Sequence, residues 1–143
     1  MSNRLRKTGL LIFVIIAVTL LAVWTSRKSF SEKALSKASV LFEEKKYGEA
    51  QKMYNKAIKW YGKSYDARLG LGKTAYFLQD YPAALEHLNQ LIAIDSISTD
   101  AHFYRGLICI KQDDMQKAIQ DFSKVILYDS LYAQEIGRAS CRE

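Results

Sequence analysis

Tyr47-Gly48-Glu49-Ala50 is followed thirty-four residues later by Tyr81-Pro82-Ala83-Ala84, and after the same step by Met115-Gln116-Lys117-Ala118. The same step relates three small residues, which are Ala38, Gly72 and Gly106. It also relates large apolar residues, which are Tyr54, Leu88 and Phe122, and a further set, Ala57, Leu91 and Val125. Residue classes that hold at several registers through three copies indicate an internal repeat.

Each copy contains two stretches with apolar residues three or four positions apart, separated by a short polar turn. This pattern predicts a pair of amphipathic helices. Asp80 is expected to cap the second helix of its copy, and Pro82 is tolerated in the first turn of that helix. The small residues should let the two helices of a pair approach closely. A lone pair cannot bury its apolar face, but three stacked pairs can, and the predicted fold is therefore all-α.

The pattern resembles the tetratricopeptide repeat (TPR) family over about residues 31–132. The resemblance implies three helical hairpins, at 31–64, 65–98 and 99–132, that form a right-handed α-α superhelix. Its concave groove is lined by the first helix of each repeat. Matched position by position, the groove residues are Leu35, Ser39, Phe42, Leu69, Lys73, Tyr76, Phe103, Leu107 and Ile110. Such an apolar groove indicates a site for a partner peptide or helix. The alternative is that several of these residues pack against neighbouring helices.

One subfamily with this repeat binds the acidic tails of chaperones through a clamp of Lys, Asn and Arg side chains. The matching positions here hold Leu35, Ser39, Gly70, Asp100 and Tyr104. Because the clamp is absent, that class of partner is not expected.

Residues 1–28 are predicted to be a membrane anchor with basic flanks. No charged residue occurs from Thr8 to Ser26, and as a helix this segment spans roughly 28 Å, close to the thickness of the hydrocarbon core of a bilayer. Trp24 lies where an interfacial aromatic residue is expected. A cleaved signal peptide and a buried core helix are the alternatives. The segment around Trp24 lacks a small-x-small cleavage site, which favours the anchor.

Ser29 and Glu32 form a capping-box pattern, which predicts that the first repeat begins with a new helix at Ser29. The preferred location is the bacterial inner membrane, with the repeats in the periplasm. This preference rests on three basic residues before the apolar segment against two after it. Since both flanks are basic, the orientation stays open.

The net charge of +6 belongs mainly to the membrane flanks, which hold five basic residues and no acidic one. Residues 31–132 hold fourteen basic and thirteen acidic residues. Nucleic acid is therefore not an expected partner. Within the first repeat the net charge is +4. Its lysines form either a solvated face or a surface that rests on anionic headgroups.

No glycine-rich phosphate loop, metal-ligand spacing or nucleophile motif is present in the sequence. His87 and His102 are interpreted as one surface residue and one partly packed residue, without a paired carboxylate. Cys109 is interpreted as a small buried hydrophobic residue. The prediction is a protein that is not an enzyme and has no cofactor, metal or small-molecule substrate.

Residues 133–143 are predicted to begin a broken fourth unit. Within them, Ile136-Gly137-Arg138-Ala139-Ser140-Cys141-Arg142-Glu143 resembles a translated sequencing adapter, and a genuine disordered tail is the alternative. The predicted function is a membrane-tethered protein–protein interaction scaffold. The alternative function is a docking or sensor segment of a larger enzyme or signalling protein.

Overall fold

Six helices make up the described part of the chain. The computed structural model describes residues 2–140, with side chains described over 12–131. The helices are α1 (Ser2–Glu43), α2 (Tyr47–Trp60), α3 (Tyr65–Phe77), α4 (Tyr81–Ile94), α5 (Thr99–Lys111) and α6 (Met115–Ser140). No strand occurs within residues 2–140, in agreement with the predicted all-α fold.

The turn inside each hairpin has the same backbone geometry. Lys45, Gln79 and Asp113, spaced thirty-four residues apart, have positive φ angles of 59°, 62° and 59°. In the second hairpin the Asp80 N–H donates to the Ala75 carbonyl at 2.9 Å and the Gln79 N–H donates to that of Tyr76 at 3.0 Å. This pair of bonds is the Schellman pattern, which satisfies carbonyls left free at a helix end. The repeat is therefore a repeat of backbone conformation as well as of sequence.

Four helices begin with a side-chain cap, among them α6, where the Asp114 carboxylate accepts from the Lys117 N–H at 3.1 Å. The Asp80 carboxylate accepts from the Ala83 N–H at 3.2 Å, with Pro82 in the first turn, which confirms the predicted cap of α4. Ser64 and Ser98 cap α3 and α5 in the same way. The boundaries between helices are therefore set locally, by residues that satisfy free N–H groups.

The small residues lie at close helix–helix contacts, as predicted. A Cβ on Gly72 would lie 2.8 Å from Cδ2 of Leu88, and one on Gly106 would lie 2.9 Å from Cε1 of Phe122. Ala38, in the corresponding position of the first hairpin, is fully buried. In the second and third hairpins, the first helix thus packs directly on the large residue of the second helix.

The three first helices lie on the inner side of the array. Helix α3 contacts α1 and α5, whereas among the described residues no contact joins α2 to α4 or α4 to α6. Helices α1, α3 and α5 are therefore closer together and line the concave face. Alanine, leucine and tyrosine side chains fill one core between α1, α2 and α3. A second core lies between α3, α4 and α5.

Helix α1 is continuous from Ser2 to Glu43, and the predicted helix start at Ser29 is wrong. Ser29 and Glu32 match the capping pattern, but no glycine or proline occurs between Leu10 and Tyr47 to interrupt the helix. A continuous helix pairs these backbone N–H and C=O groups with one another, whereas a break would leave them to side-chain caps or water. The apolar segment and the first repeat therefore share one helix without a linker.

Helix α6 runs without a turn through residues 129–132, where the thirty-four-residue step places the next loop. The predicted boundary at 132 stays a prediction. The structure describes no side chain after residue 131 and does not describe residues 141–143. The predicted adapter-derived segment at 136–143 therefore lies outside the residues whose side chains are described.

Candidate functional site: the concave face

The nine predicted groove residues all lie on the inner helices α1, α3 and α5, but they differ in exposure. Phe103 and Ile110 are the most exposed apolar members, at 42% and 38%. Ser39 is exposed, and its hydroxyl donates to the Ser36 carbonyl within α1. Lys73 and Leu107 are half-buried. These residues offer side-chain surface to a partner.

The other four groove residues also contribute to the interior. Leu35 and Phe42 are half-buried against the first core, and Leu69 and Tyr76 are half-buried against the second. The two interpretations of the groove therefore apply to different residues. Repeats 1 and 2 use the inner face partly for packing, whereas repeat 3 leaves Phe103 and Ile110 exposed.

Aromatic rings from all three repeats touch along this face. We call them the concave aromatic cluster, which consists of Phe42, Tyr47, Tyr76, Phe77, Phe103 and Tyr104. Tyr47 stacks on Phe77 with ring centroids 4.9 Å apart and an angle of 7°. Tyr104 lies edge-on to Tyr76 and to Phe103, at 5.6 Å from each. Such geometries stabilise ring pairs beyond the burial of their surface.

The nine predicted groove residues did not include three rings of the concave aromatic cluster, which are Tyr47, Phe77 and Tyr104. The thirty-four-residue step gave no signal for Phe77, because the matching positions hold Glu43 and Lys111. The available signal was local, since Phe77 follows Tyr76 in the last turn of α3. Phe77 is 42% exposed and joins the rings of repeats 1 and 3.

One cation lies among these rings. The Lys73 ammonium is 3.4 Å from the Asp100 carboxylate and 5.2 Å from the centre of the Tyr104 ring. The second contact is a cation–π interaction. Burial, followed by the negative charge of Asp100, raises the pKa of Tyr104 above its ordinary value. Lys73 is thus already partnered by an acid and a ring.

A buried polar network on the other side of α5 corrects the interpretation of His102. This side chain is fully buried, and its Nδ1 lies 2.8 Å from a carboxylate oxygen of Asp121. Its Nε2 lies 3.0 Å from the Ser96 carbonyl. Arg105 donates to both oxygens of Asp121, at 2.8 and 2.7 Å. A carboxylate partner therefore exists, although none was expected.

This network joins helices and offers no reactive group to solvent. Burial by itself would raise the pKa of Asp121, but the hydrogen bonds from Arg105 and His102 outweigh burial and hold it below its ordinary value. The network lies beside a hollow of about 410 Å³ between α4, α5 and α6. His102 does not reach solvent there, since both of its nitrogens have protein partners and it is 0% exposed.

The remaining candidates for chemistry are also packed. Cys109 is buried, as expected, and burial raises the pKa of its thiol, which disfavours the nucleophilic thiolate. His87 is half-buried and fits the partly packed histidine of the prediction, whereas the expected surface histidine is absent because His102 is buried. Burial lowers the pKa of His87. No group of three or more His, Cys, Asp or Glu side chains suited to a metal ion occurs among the described residues.

Three stacked helical hairpins with an aromatic inner face define a helical-repeat protein of the kind that presents a concave surface. Family comparison agrees with this class. Two tetratricopeptide repeat family models match the chain, at residues 41–102 and 99–130. The chain therefore belongs to the tetratricopeptide repeat family, as the thirty-four-residue pattern predicted.

Solved structures show the same fold. The second TPR of Spaghetti (RPAP3) bound to the HSP90 peptide SRMEEVD superposes with a TM-score of 0.72 and 20% identity, over 78% of this chain and 96% of that one. MamA superposes with a TM-score of 0.68 and 20% identity, over 75% and 63%. The second TPR domain of human RPAP3 with the HSP70 peptide SGPTIEEVD gives a TM-score of 0.64 and 21% identity, over 75% and 87%.

Curated relatives are much longer proteins. Peptidyl-prolyl cis-trans isomerase FKBP4 of Rattus norvegicus is 29% identical and that of Homo sapiens is 28% identical. Each match covers 75% of this chain and 27% of the relative. The chain thus spans about a quarter of the length of the curated relatives it matches.

Proposed function

We propose that this chain is a membrane-tethered scaffold that binds a partner peptide or helix in its concave TPR groove. The observation that carries the proposal is the concave aromatic cluster, which leaves Phe77 and Phe103 each 42% exposed, while Ile110, on the same helix as Phe103, is 38% exposed. Exposed aromatic and apolar side chains that converge on a concave face are typical of contact surfaces.

The chemistry of the groove favours a partner with apolar side chains. The peptides in the RPAP3 structures, SRMEEVD and SGPTIEEVD, end in acidic residues. The five positions of the acidic-tail clamp hold no basic residue in this chain. The cation nearest to the cluster, Lys73, is paired with Asp100. An acidic tail would therefore find little free positive charge, whereas an apolar anchor would find open ring surface.

Helix α1 supports the tether. It contains the candidate membrane span found in the described residues, which is long and apolar enough to cross a bilayer by length and composition. Its large apolar side chains from Ile12 to Trp24 are at least half exposed, so the protein itself does not cover them. We infer a single-pass protein, with the bacterial inner membrane and a periplasmic repeat domain as the preferred arrangement.

Peptide selection on the full chain in detergent tests the groove. Displayed peptides recovered on the wild-type chain should be apolar or aromatic, and SRMEEVD should not compete with them. Phe103→Ala should weaken their binding by about 2 kcal/mol, as loss of a buried aromatic anchor does, and should change the melting temperature little.

Ile126→Ala is the matched control, because Ile126 is 71% exposed but lies on α6, away from the inner helices. It should leave the affinity unchanged. Equal affinity of wild type and Phe103→Ala, with equal melting, would show that the groove is not the binding face. Unfolding of Phe103→Ala would show that Phe103 belongs to the core.

The second candidate function is a docking or sensor segment of a larger enzyme or signalling protein. The lengths of the relatives favour it, because the matched segment is 27% of proteins named as isomerases. The gene sequence downstream of the repeats would distinguish the two functions, because a catalytic domain encoded there would support the second.

A further inference from the structure

The loops between hairpins lie at one edge of the array, which we call the loop edge. It consists of residues 61–64 between α2 and α3, residues 95–98 between α4 and α5, and the adjoining part of α1 around Phe30. The Ser31 hydroxyl donates to the Ala57 carbonyl at 2.9 Å, which fixes α1 to the end of α2. A hydrogen bond between the hydroxyls of Tyr65 and Ser98 joins the start of α3 to the second loop. The apolar part of α1 leaves the repeats from this same edge.

Large apolar side chains are exposed along the loop edge. The rings of Phe30 and Trp60 stack with centroids 5.3 Å apart, yet they are 53% and 38% exposed. Ile94, thirty-four residues after Trp60, is 69% exposed, and Ile97 in the second loop is 62% exposed. A patch of this kind indicates a contact with something outside the repeats.

The charge near Trp60 is predominantly positive. Arg27, Lys28, Lys59 and Lys63 are exposed there, together with two acidic residues, Glu32 and Asp66. Lys28 is 3.9 Å from Glu32, and both side chains are at least half exposed, so this pair contributes little. The first loop therefore presents aromatic rings surrounded by cations, the combination found at membrane–water interfaces.

The depth of this patch follows from the continuity of α1. Phe30 lies four residues beyond Ser26, the last residue of the uncharged segment, which is about 6 Å along a helix axis. The headgroup layer on each side of a bilayer is roughly 5–8 Å thick. Because α1 has no break between Ser26 and Phe30, Phe30 and the Trp60 ring stacked on it would lie at headgroup depth.

We propose that the loop edge rests on a layer of anionic phospholipid headgroups, with Trp60 as interfacial anchor and Lys59 and Lys63 against the phosphates. This inference rests on the proposed membrane tether. It has a consequence for the groove: α1, α3 and α5 rise from the bilayer side by side, so the concave face opens along the membrane surface. A partner would then approach beside the membrane.

The two tryptophans of the chain, Trp24 and Trp60, allow a test on the full protein. Trp24→Phe leaves Trp60 as the reporter of the loop edge, and Trp60→Phe leaves Trp24 as the reporter of the tether. Each variant is reconstituted in phosphatidylcholine vesicles with and without phosphatidylglycerol, and quenching is measured with lipids brominated near or far from the headgroup. Trp24 should be quenched in both compositions. Trp60 should be quenched most by the shallow bromines, and more strongly with phosphatidylglycerol.

Lysine variants in the Trp24→Phe background identify the charges. Lys59→Gln with Lys63→Gln should lower the ratio of docked to undocked protein on the order of tenfold or more in the anionic vesicles, since basic groups near an anionic surface contribute separately. Lys45→Gln with Lys46→Gln, at the opposite edge of the first hairpin, is the matched control and should have little effect.

The outcomes separate the two proposals. Quenching of Trp24 without quenching of Trp60 in either lipid would overturn the loop-edge contact and leave the tether intact. Absence of quenching for both tryptophans would overturn the tether itself. Trp60 quenching that ignores both phosphatidylglycerol and the lysine changes would overturn the role of Lys59 and Lys63.

Discussion

The ring of Phe122 occupies the space next to Gly106, so that a Cβ there would lie 2.9 Å from Cε1. Gly106→Leu should therefore force the α5–α6 hairpin apart and lower the free energy of unfolding by about 1–3 kcal/mol, as overpacking does. Urea unfolding of the full chain in detergent, followed by circular dichroism, measures the loss.

Gly48 provides the control, since a Cβ there would meet nothing within 4 Å. Gly48→Leu should unfold at the same urea concentration as the parent or at a slightly higher one, because leucine has a higher helix propensity than glycine. A Gly106→Leu chain that also unfolds like the parent would contradict the alignment of Ala38, Gly72 and Gly106.

Asp121 is 2% exposed and accepts hydrogen bonds from Arg105 and His102. Asp121→Asn should lower the free energy of unfolding by about 3 kcal/mol at neutral pH, because it removes the buried carboxylate charge that pairs with the half-buried Arg105. The folded pKa of Asp121 is below its unfolded value. Its contribution is therefore complete above the unfolded pKa of about 3.9 and is lost as pH falls through the folded pKa.

Urea unfolding of wild type and Asp121→Asn at neutral pH and at about pH 2.5 tests this dependence. The difference in free energy of unfolding between wild type and Asp121→Asn should be smaller at the acidic pH. Asp129→Asn, at an exposed position on the same helix, should show little difference at either pH. A difference that stays constant with pH would mean that the carboxylate charge of Asp121 does not stabilise the fold.

The pairing of His102 with Asp121 could not be predicted from the sequence. His102 and Asp121 lie nineteen residues apart on two helices, and the thirty-four-residue step carries them back to Arg68 and His87. Repeats 2 and 3 thus use different polar residues at matching positions, so the repeat pattern gave no sign of the pair. The exposure of the individual groove residues was not predicted for a related reason. The position of a residue in the repeat determines which helix face it lies on, but the neighbouring side chains determine how much of its surface is buried.

At the scale of elements, the hairpins were predictable because their turns are coded locally. Apolar spacing, the Asp80 cap and the small residues each predicted a feature that the structure confirms. The way in which the apolar segment joins the first repeat was not predictable from the cap motif. Ser29 and Glu32 suit a helix start, but they are equally compatible with a helix interior when no glycine or proline interrupts the chain.

Gln79 tests the left-handed turn of the second hairpin, where its φ is 62°. A residue with a Cβ is strained in this conformation, whereas glycine is not. Gln79→Gly should therefore raise the free energy of unfolding by about 0.5–1 kcal/mol, despite the larger entropy of glycine in the unfolded chain.

Gln79→Ala is the control for the lost side chain, because alanine keeps the Cβ and should give no gain. Both variants are compared with the parent by urea unfolding in detergent. A loss of stability in Gln79→Gly equal to or larger than that in Gln79→Ala would contradict the left-handed turn.

At the scale of the whole molecule, one helix serves two environments. Side chains from Ile12 to Trp24 on α1 are exposed to the surroundings, whereas Ala34, Ala38 and Leu41 of the same helix are buried in the first repeat. The direction of the repeats is therefore set by the direction of the apolar segment. In the proposed arrangement, the loop edge faces the bilayer and the groove opens beside it.

This continuity gives the last prediction, which concerns attachment. The full chain should remain in membranes through an alkaline carbonate wash, because the nineteen uncharged residues from Thr8 to Ser26 are long enough as a helix to span the hydrocarbon core. Val18→Arg with Leu21→Arg should release much of the chain, since each arginine at the centre of a span costs roughly 2.5–3.5 kcal/mol of insertion free energy. Lys33→Arg with Lys37→Arg, which changes basic residues outside the span, is the control and should stay attached. Recovery of a soluble form that begins near Ser26 would instead establish a cleaved signal peptide. Cleavage there would leave Ser31 and its hydrogen bond to the Ala57 carbonyl in place, so the repeats would stay folded and the measured N-terminus alone distinguishes an anchor from a signal peptide.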